Sequence, residues 1–185
     1  MPSMTEEMSK FDPVSLLREI EERCQASATG MERQVETTIE WSGIAYRVGN
    51  NLLVSRLGEV VEILEFPELS TIPLTQPWVR GIANVRGNLL PVIDLNGYLN
   101  ERVTEVTSRT RVLVIDHDGL YSGLVVDEVL GLKHFSDDEY CEDDAGADAY
   151  LQPYISNGYR RGDQIWAIFS LVALAEAPQF LQTAV

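Results

Sequence analysis

A strand-like pattern occurs twice in this chain, and that recurrence limits the fold more than any other feature. Leu57-Gly58-Glu59-Val60-Val61-Glu62-Ile63 resembles Val126-Asp127-Glu128-Val129-Leu130-Gly131-Leu132. Further on, Arg86-Gly87-Asn88-Leu89-Leu90-Pro91-Val92-Ile93-Asp94-Leu95 resembles Arg161-Gly162-Asp163-Gln164-Ile165-Trp166-Ala167-Ile168-Phe169-Ser170-Leu171, with one residue inserted. Two echoes in the same order are the mark of one unit built twice. Between them run short period-two segments bounded by turn residues, so the unit is a small β-barrel. A barrel of about 60 residues buries too little core to stand alone. Two copies meeting through their apolar faces remedy this, and the predicted fold is mainly β.

The segments fall into order around that pattern. Asp12-Pro13 reads as an N-cap followed by proline at the first helical position. Val14, Leu17, Ile20 and Cys24 then recur at helical spacing, giving an amphipathic helix over about 13–27 within an N-terminal extension, 1–34. Its apolar stripe is assigned to the protein's own barrel in preference to a partner. From Val35 the period becomes two, and Ser42-Gly43 reads as a tight turn between strands. Pro91 in Asn88–Leu95 argues for an edge strand or a bulge. Asp116-His117-Asp118-Gly119 is a turn, and Ser170 caps a last helix that Pro178 interrupts or ends. The expected division is barrel 1 at about 35–105, barrel 2 at about 106–170, and a C-terminal helix and tail at 171–185.

Charge excludes whole classes of partner. Fourteen basic against 29 acidic side chains give a net charge of −15, which repels phosphate backbones and anionic membrane surfaces. No nucleic acid is expected, and no direct membrane insertion, since no apolar run approaches the roughly 20 residues of a spanning helix. The N-terminus lacks the basic and apolar regions of a secretion signal. Cys24 and Cys141 form no C-x-x-C pair, so no disulfide framework or zinc site is expected, and a cytoplasmic location follows.

Chemistry finds no foothold in the sequence. No G-x-S-x-G elbow surrounds a serine, and His117 and His134 sit in turn and strand-end contexts. No glycine cradle for nucleotide phosphates exists. The acidic loop Asp137 to Asp148 fails the calcium-loop spacing, because glycine at the sixth position puts Cys141 at the first. Asp94 and Asp127 each end an apolar run. They read as carboxylates accepting backbone N–H groups at a turn or helix start, in preference to an acid–base pair. Trp41, Trp78 and Trp166 read as core or inter-barrel residues. No catalytic residue, cofactor or metal is assigned.

One segment carries a family resemblance. Gly81-Ile82-Ala83-Asn84-Val85-Arg86-Gly87, continuing through Leu90-Pro91-Val92-Ile93-Asp94-Leu95, resembles the CheW family of chemotaxis coupling proteins. Gly123-Leu124-Val125-Val126-Asp127-Glu128-Val129 and Val60-Val61-Glu62-Ile63 resemble two further motifs of that family, in family order over roughly residues 36 to 175. The resemblance implies two SH3-like five-stranded barrels packed together. It implies a non-enzymatic adaptor coupling a methyl-accepting chemoreceptor to a CheA-type histidine kinase, associated with membrane-bound receptor arrays. The receptor groove would involve Arg86, Asn84, Gly87 and Leu132, and the kinase or array interface Val60, Glu62 and Ile63. An internal salt bridge is the competing role for Arg86. The N-terminal extension, the wording around Gly81–Gly87, and Phe180 are similar to the version of the family that serves type IV pilus twitching motility. A flagellar chemotaxis coupler and a small-ligand-binding barrel, with Asp94 and Asp127 as its site residues, are the alternatives.

Overall fold

The computed structural model describes residues 41–142 and 146–182, so the expected helix at about 13–27 lies outside the described residues. The described residues fall within one compact unit, Ile39–Val185. Eleven strands run β1 (Trp41–Val48), β2 (Asn51–Arg56), β3 (Glu62–Glu65), β4 (Val79–Val85), β5 (Asn88–Asp94), β6 (Arg111–His117), β7 (Leu120–Val126), β8 (Glu128–Phe135), β9 (Tyr140–Cys141), β10 (Ile155–Arg161) and β11 (Gln164–Phe169). Three short helices, α1 (Leu95–Asn100), α2 (Leu171–Ala175) and α3 (Pro178–Leu181), complete the described elements together with brief 3-10 turns.

The strands form two sheets, ordered β8-β1-β2-β11-β10-β9 and β3-β6-β7-β5-β4. The second, the insert sheet, is one contiguous stretch of chain. The first, the frame sheet, is made from the stretches on either side of it. A boundary near residue 105 therefore cuts through both sheets, and the barrels do not follow the order of the repeats. The insert sheet takes three strands from the first copy and the β6–β7 hairpin from the second, and the frame sheet takes the β1–β2 hairpin from the first copy and four strands from the second. The duplication itself is plain in the pairing. Each sheet has one parallel contact, β2 with β11 and β5 with β7, at the corresponding place in its order.

Both sheets curl. Phe135 on β8 stacks on Tyr159 of β10 with ring centroids 4.5 Å apart, although four steps of sheet order separate the two strands. This closes the frame sheet into a barrel around Ala45, Val54, Phe135, Tyr159 and Trp166. The insert barrel is filled by smaller side chains, Ala83, Leu90, Val92, Val112, Val114 and Val125. Between the barrels lies a third and larger cluster that includes Tyr46, Leu53, Leu113, Leu124, Phe169 and Phe180.

Period two explains these three cores together. Along β6, Val112 and Val114 point into the insert barrel while Leu113 and Ile115 point into the seam. Along β11, Trp166 faces the frame barrel while Ala167 and Phe169 face the seam. Strands buried on both faces read as continuous apolar runs, which is why Val112–Ile115 shows no alternation. Each fully buried side chain of this size contributes about 1.5–3 kcal/mol.

The copies also end alike. Asp94 ends β5 and Ser170 directly follows β11, and each side chain accepts the backbone N–H three residues on, from Gly97 and Ala173, to start α1 and α2. Two sequence expectations fail. Ser42-Gly43 is no turn, because β1 runs straight through it, paired with β2 and β8. Pro91 lies in a central strand, between β4 and β7, where the parallel ladder to β7 begins only at Val92.

Candidate protein-docking site

The β4–β5 hairpin closes with the two-residue turn Arg86-Gly87, since Val85 pairs with Asn88. Both turn residues have positive φ, 51° and 89°, the signature of a type I′ turn matched to the twist of paired strands. Gly87 meets this at no steric cost, but a non-glycine residue in the left-handed region pays about 1–2 kcal/mol. Asn84 supports the turn by accepting the Gly87 N–H at 2.9 Å. The hairpin thus projects an arginine from a strained but well-supported position.

The guanidinium reaches across the insert barrel. Arg86 Nη2 donates to Glu62 Oε1 at 2.6 Å, joining the hairpin tip to edge strand β3. With its side chain 78% exposed against 26% for Glu62, this pair is worth about 0–1 kcal/mol. It orients both groups more than it holds the fold. Exposed apolar side chains surround it in sequence: Val61 at 62% and Leu89 at 68%, with Ile63 also exposed. Ile63 pairs with Leu113 on β6, and Leu89 pairs with Asn84 on β4.

The predicted residues therefore redistribute. Arg86, Asn84, Gly87 and Glu62 form one connected cluster, although the resemblance divides Glu62 from the other three. Leu132 stands on β8, in the frame sheet, opposite Ile44 and 47% exposed. Val60 packs against the seam core instead of facing out. The sequence reading missed Val61 and Leu89. Their signal was alternation: once Leu90 and Val92 are assigned inward, Leu89 must face away.

Arg161, the repeat partner of Arg86, makes a parallel arrangement in the frame barrel. Its guanidinium donates to Glu139 Oε2 at 2.7 Å and to the His134 carbonyl at 2.6 Å, and lies 5.0 Å from the Phe135 ring centroid. Glu139 also completes a capping box with Ser136. The hydrogen bonds from Arg161 hold the Glu139 carboxyl down at about 2. Thus Arg161 is committed to closing its barrel, whereas Arg86 keeps most of its donors in solvent.

Asp94 and Asp127 do not meet as a pair. Asp94 is fully buried, bound by Arg80 Nη1 at 2.9 Å, Thr104 N at 2.8 Å and Thr104 Oγ1 at 2.8 Å. Asp127 accepts the Gly49 N–H at 2.7 Å, fixing the β1–β2 turn. Both are the backbone-binding carboxylates anticipated from their positions at run ends. Among the described residues no cluster of three His, Cys, Asp or Glu could hold a metal ion. No described helix is long and apolar enough to cross a membrane.

Comparison with known proteins adds the decisive observation. The model of the CheW-like domain matches residues 42–179. The chain belongs to the CheW-like family. Protein PilI of Pseudomonas aeruginosa is 42% identical over 173 residues, covering 94% of this chain and 97% of that protein. FrzA of Myxococcus xanthus is 29% identical, covering 75% and 84%. The crystal structure of scaffolding protein TtCheW from Thermoanaerobacter tengcongensis superposes with a TM-score of 0.64 at 21% identity, covering 75% of this chain and 94% of that one. The two sheets of the CheW-like chain therefore have the architecture of a known scaffold.

Proposed function

We propose that this CheW-like protein is a non-enzymatic adaptor linking a methyl-accepting chemoreceptor to a CheA-type histidine kinase, in an array that governs type IV pilus twitching motility. The observation that carries the reading is the near full-length likeness to PilI. The geometry supports an adaptor: its buried carboxylates are spent on the fold, and its distinctive surface is a charged hairpin tip flanked by apolar side chains. Such a surface suits a helix laid across it, with Arg86 providing a planar donor fork and Ile63 and Leu89 apolar area. The receptor contact centres on Arg86, with Asn84 and Gly87 shaping the turn and Leu132 contributing from the frame sheet. Glu62 and Ile63, on β3, belong to the kinase or array contact, and Val60, packed on the seam core, supports them from behind.

Substitution at Arg86 separates docking from folding. Arg86→Ala removes a cation whose ion pair contributes little stability, so the thermal midpoint stays within about 2 °C. Affinity for a receptor cytoplasmic tip, measured by titration, is expected to fall about tenfold or more. Unchanged affinity removes Arg86 from the contact. Co-purification of the wild-type protein with pilus-array and flagellar-array kinases decides which array it serves.

A further inference from the structure

Trp41 opens β1 and lies on the face that, two and four residues on, holds Gly43 and Ala45. Its indole folds back over Gly43, where an added Cβ would strike both the ring and the Ser55 carbonyl. Glycine there is what allows the ring to rest against the strand. Two aromatic neighbours fix it further, and a third ring backs one of them. Tyr159 lies 5.3 Å away, Phe135 lies 6.1 Å away, and Tyr140 packs edge-on against Tyr159 at 5.8 Å. The aromatic wall is therefore set before any partner arrives.

This wall borders a cleft of about 590 Å³ at the mouth of the frame barrel, lined by Trp41, Ser42, Arg56, Glu59, Asp137 and Tyr159. The Ser42 hydroxyl is spent on His134 Nδ1, 2.8 Å away. Among the described residues neither Trp41 Nε1, the exposed Arg56 guanidinium nor the exposed Asp137 carboxylate has a hydrogen-bond partner. Glu59 differs, since its Oε2 accepts the Leu171 N–H at 2.7 Å at the start of α2. The cleft thus offers rigid rings, two donor groups, and an exposed carboxylate.

We propose that this cleft binds an extended, proline-containing peptide segment bearing a basic side chain. A polyproline II segment has no internal hydrogen bonds, so its carbonyls are free to accept from the Trp41 indole and Arg56. Proline rings pack flat on aromatic faces, and the stiff backbone loses little entropy on docking. Asp137 supplies the complement for a lysine or arginine on that segment. An acidic segment would meet Asp137 and Glu59 with like charge. The site stands on the frame barrel and does not depend on the Arg86 surface.

The test uses the full chain and three synthetic decapeptides: one with two prolines three residues apart and a terminal arginine, one with both prolines changed to alanine, and one with the arginine changed to glutamate. The readout is the Trp41 indole N–H resonance, assigned by its loss in Trp41→Phe, a change that keeps an aromatic ring and removes the donor. The first peptide is expected to shift it saturably, and each altered peptide to bind about fivefold more weakly. Asp137→Asn should abolish the preference for arginine over glutamate without changing the thermal midpoint. No saturable shift at millimolar peptide overturns the proposal, as does equal binding of all three peptides. A Trp41 shift that follows protein concentration alone makes the cleft a contact between copies and overturns it too.

Discussion

Asp94 shows how one side chain ties distant pieces of chain together. Its carboxylate receives Gly97 N at the start of α1, Thr104 N and Oγ1 from the following loop, and Arg80 from β4. Truncation would strand Arg80 and three hydrogen-bond donors beside a void. Asp94→Ala is expected to cost about 3–5 kcal/mol in urea unfolding, and a loss under about 1 kcal/mol would contradict this reading. The backbone-binding role was legible in sequence, because an aspartate ending an apolar run before Leu95-Asn96-Gly97 suits a helix cap. Its partner Arg80 was not, since nothing local marks an ion pair between residues 14 apart. Glu139 gives a pH dependence. Its pKa falls from 4.5 to about 2 on folding, chiefly through Arg161. A depressed carboxylate stabilises the fold fully above the unfolded value, and that contribution is lost as pH falls from about 4.5 toward about 2. Arg161→Met should flatten the stability profile in that window, as read by urea unfolding at a series of pH values.

At the scale of elements, the strands, their turns and the caps of α1 and α2 were largely readable, because alternation and capping are local signals. Gly43 misled the reading, since glycine serves a close ring approach there as readily as a turn. Which hairpin joins which barrel was hidden for a different reason. Two copies of one pattern offer each hairpin two equivalent partners, and only packing across the seam selects between them. The observed pairing sends β1–β2 to the strands of the second copy and β6–β7 to those of the first. A chain cut between residues 105 and 106 therefore leaves neither piece with a complete sheet. Each fragment alone should lack cooperative unfolding by circular dichroism, while the two expressed together should restore it. A cooperative transition in either fragment alone would mean that each repeat closes its own barrel.

Across the whole molecule, the seam core makes the two barrels one cooperative body. Phe169 is fully buried there, among side chains from both sheets. Phe169→Ala is expected to cost about 3–5 kcal/mol and to leave a single unfolding transition, whether followed by tryptophan fluorescence, dominated in the frame barrel by Trp41 and Trp166, or by amide exchange in β6 and β7. Two separated transitions would show that the barrels stand independently. The docking surfaces were less legible than the fold. Exposure at Val61, Leu89 and Arg86 depends on which edges the sheets leave uncovered, and that is a property of the closed barrels. The nesting of one sheet within the other also has a consequence for synthesis. Pairings within the insert sheet close short loops, whereas β2 meets β11 only across more than a hundred residues, a slow and entropically costly closure. A nascent chain released as far as Val126 would hold every strand of the inner sheet and a waiting hairpin, Trp41–Arg56, whose two flanking strands the ribosome has yet to make.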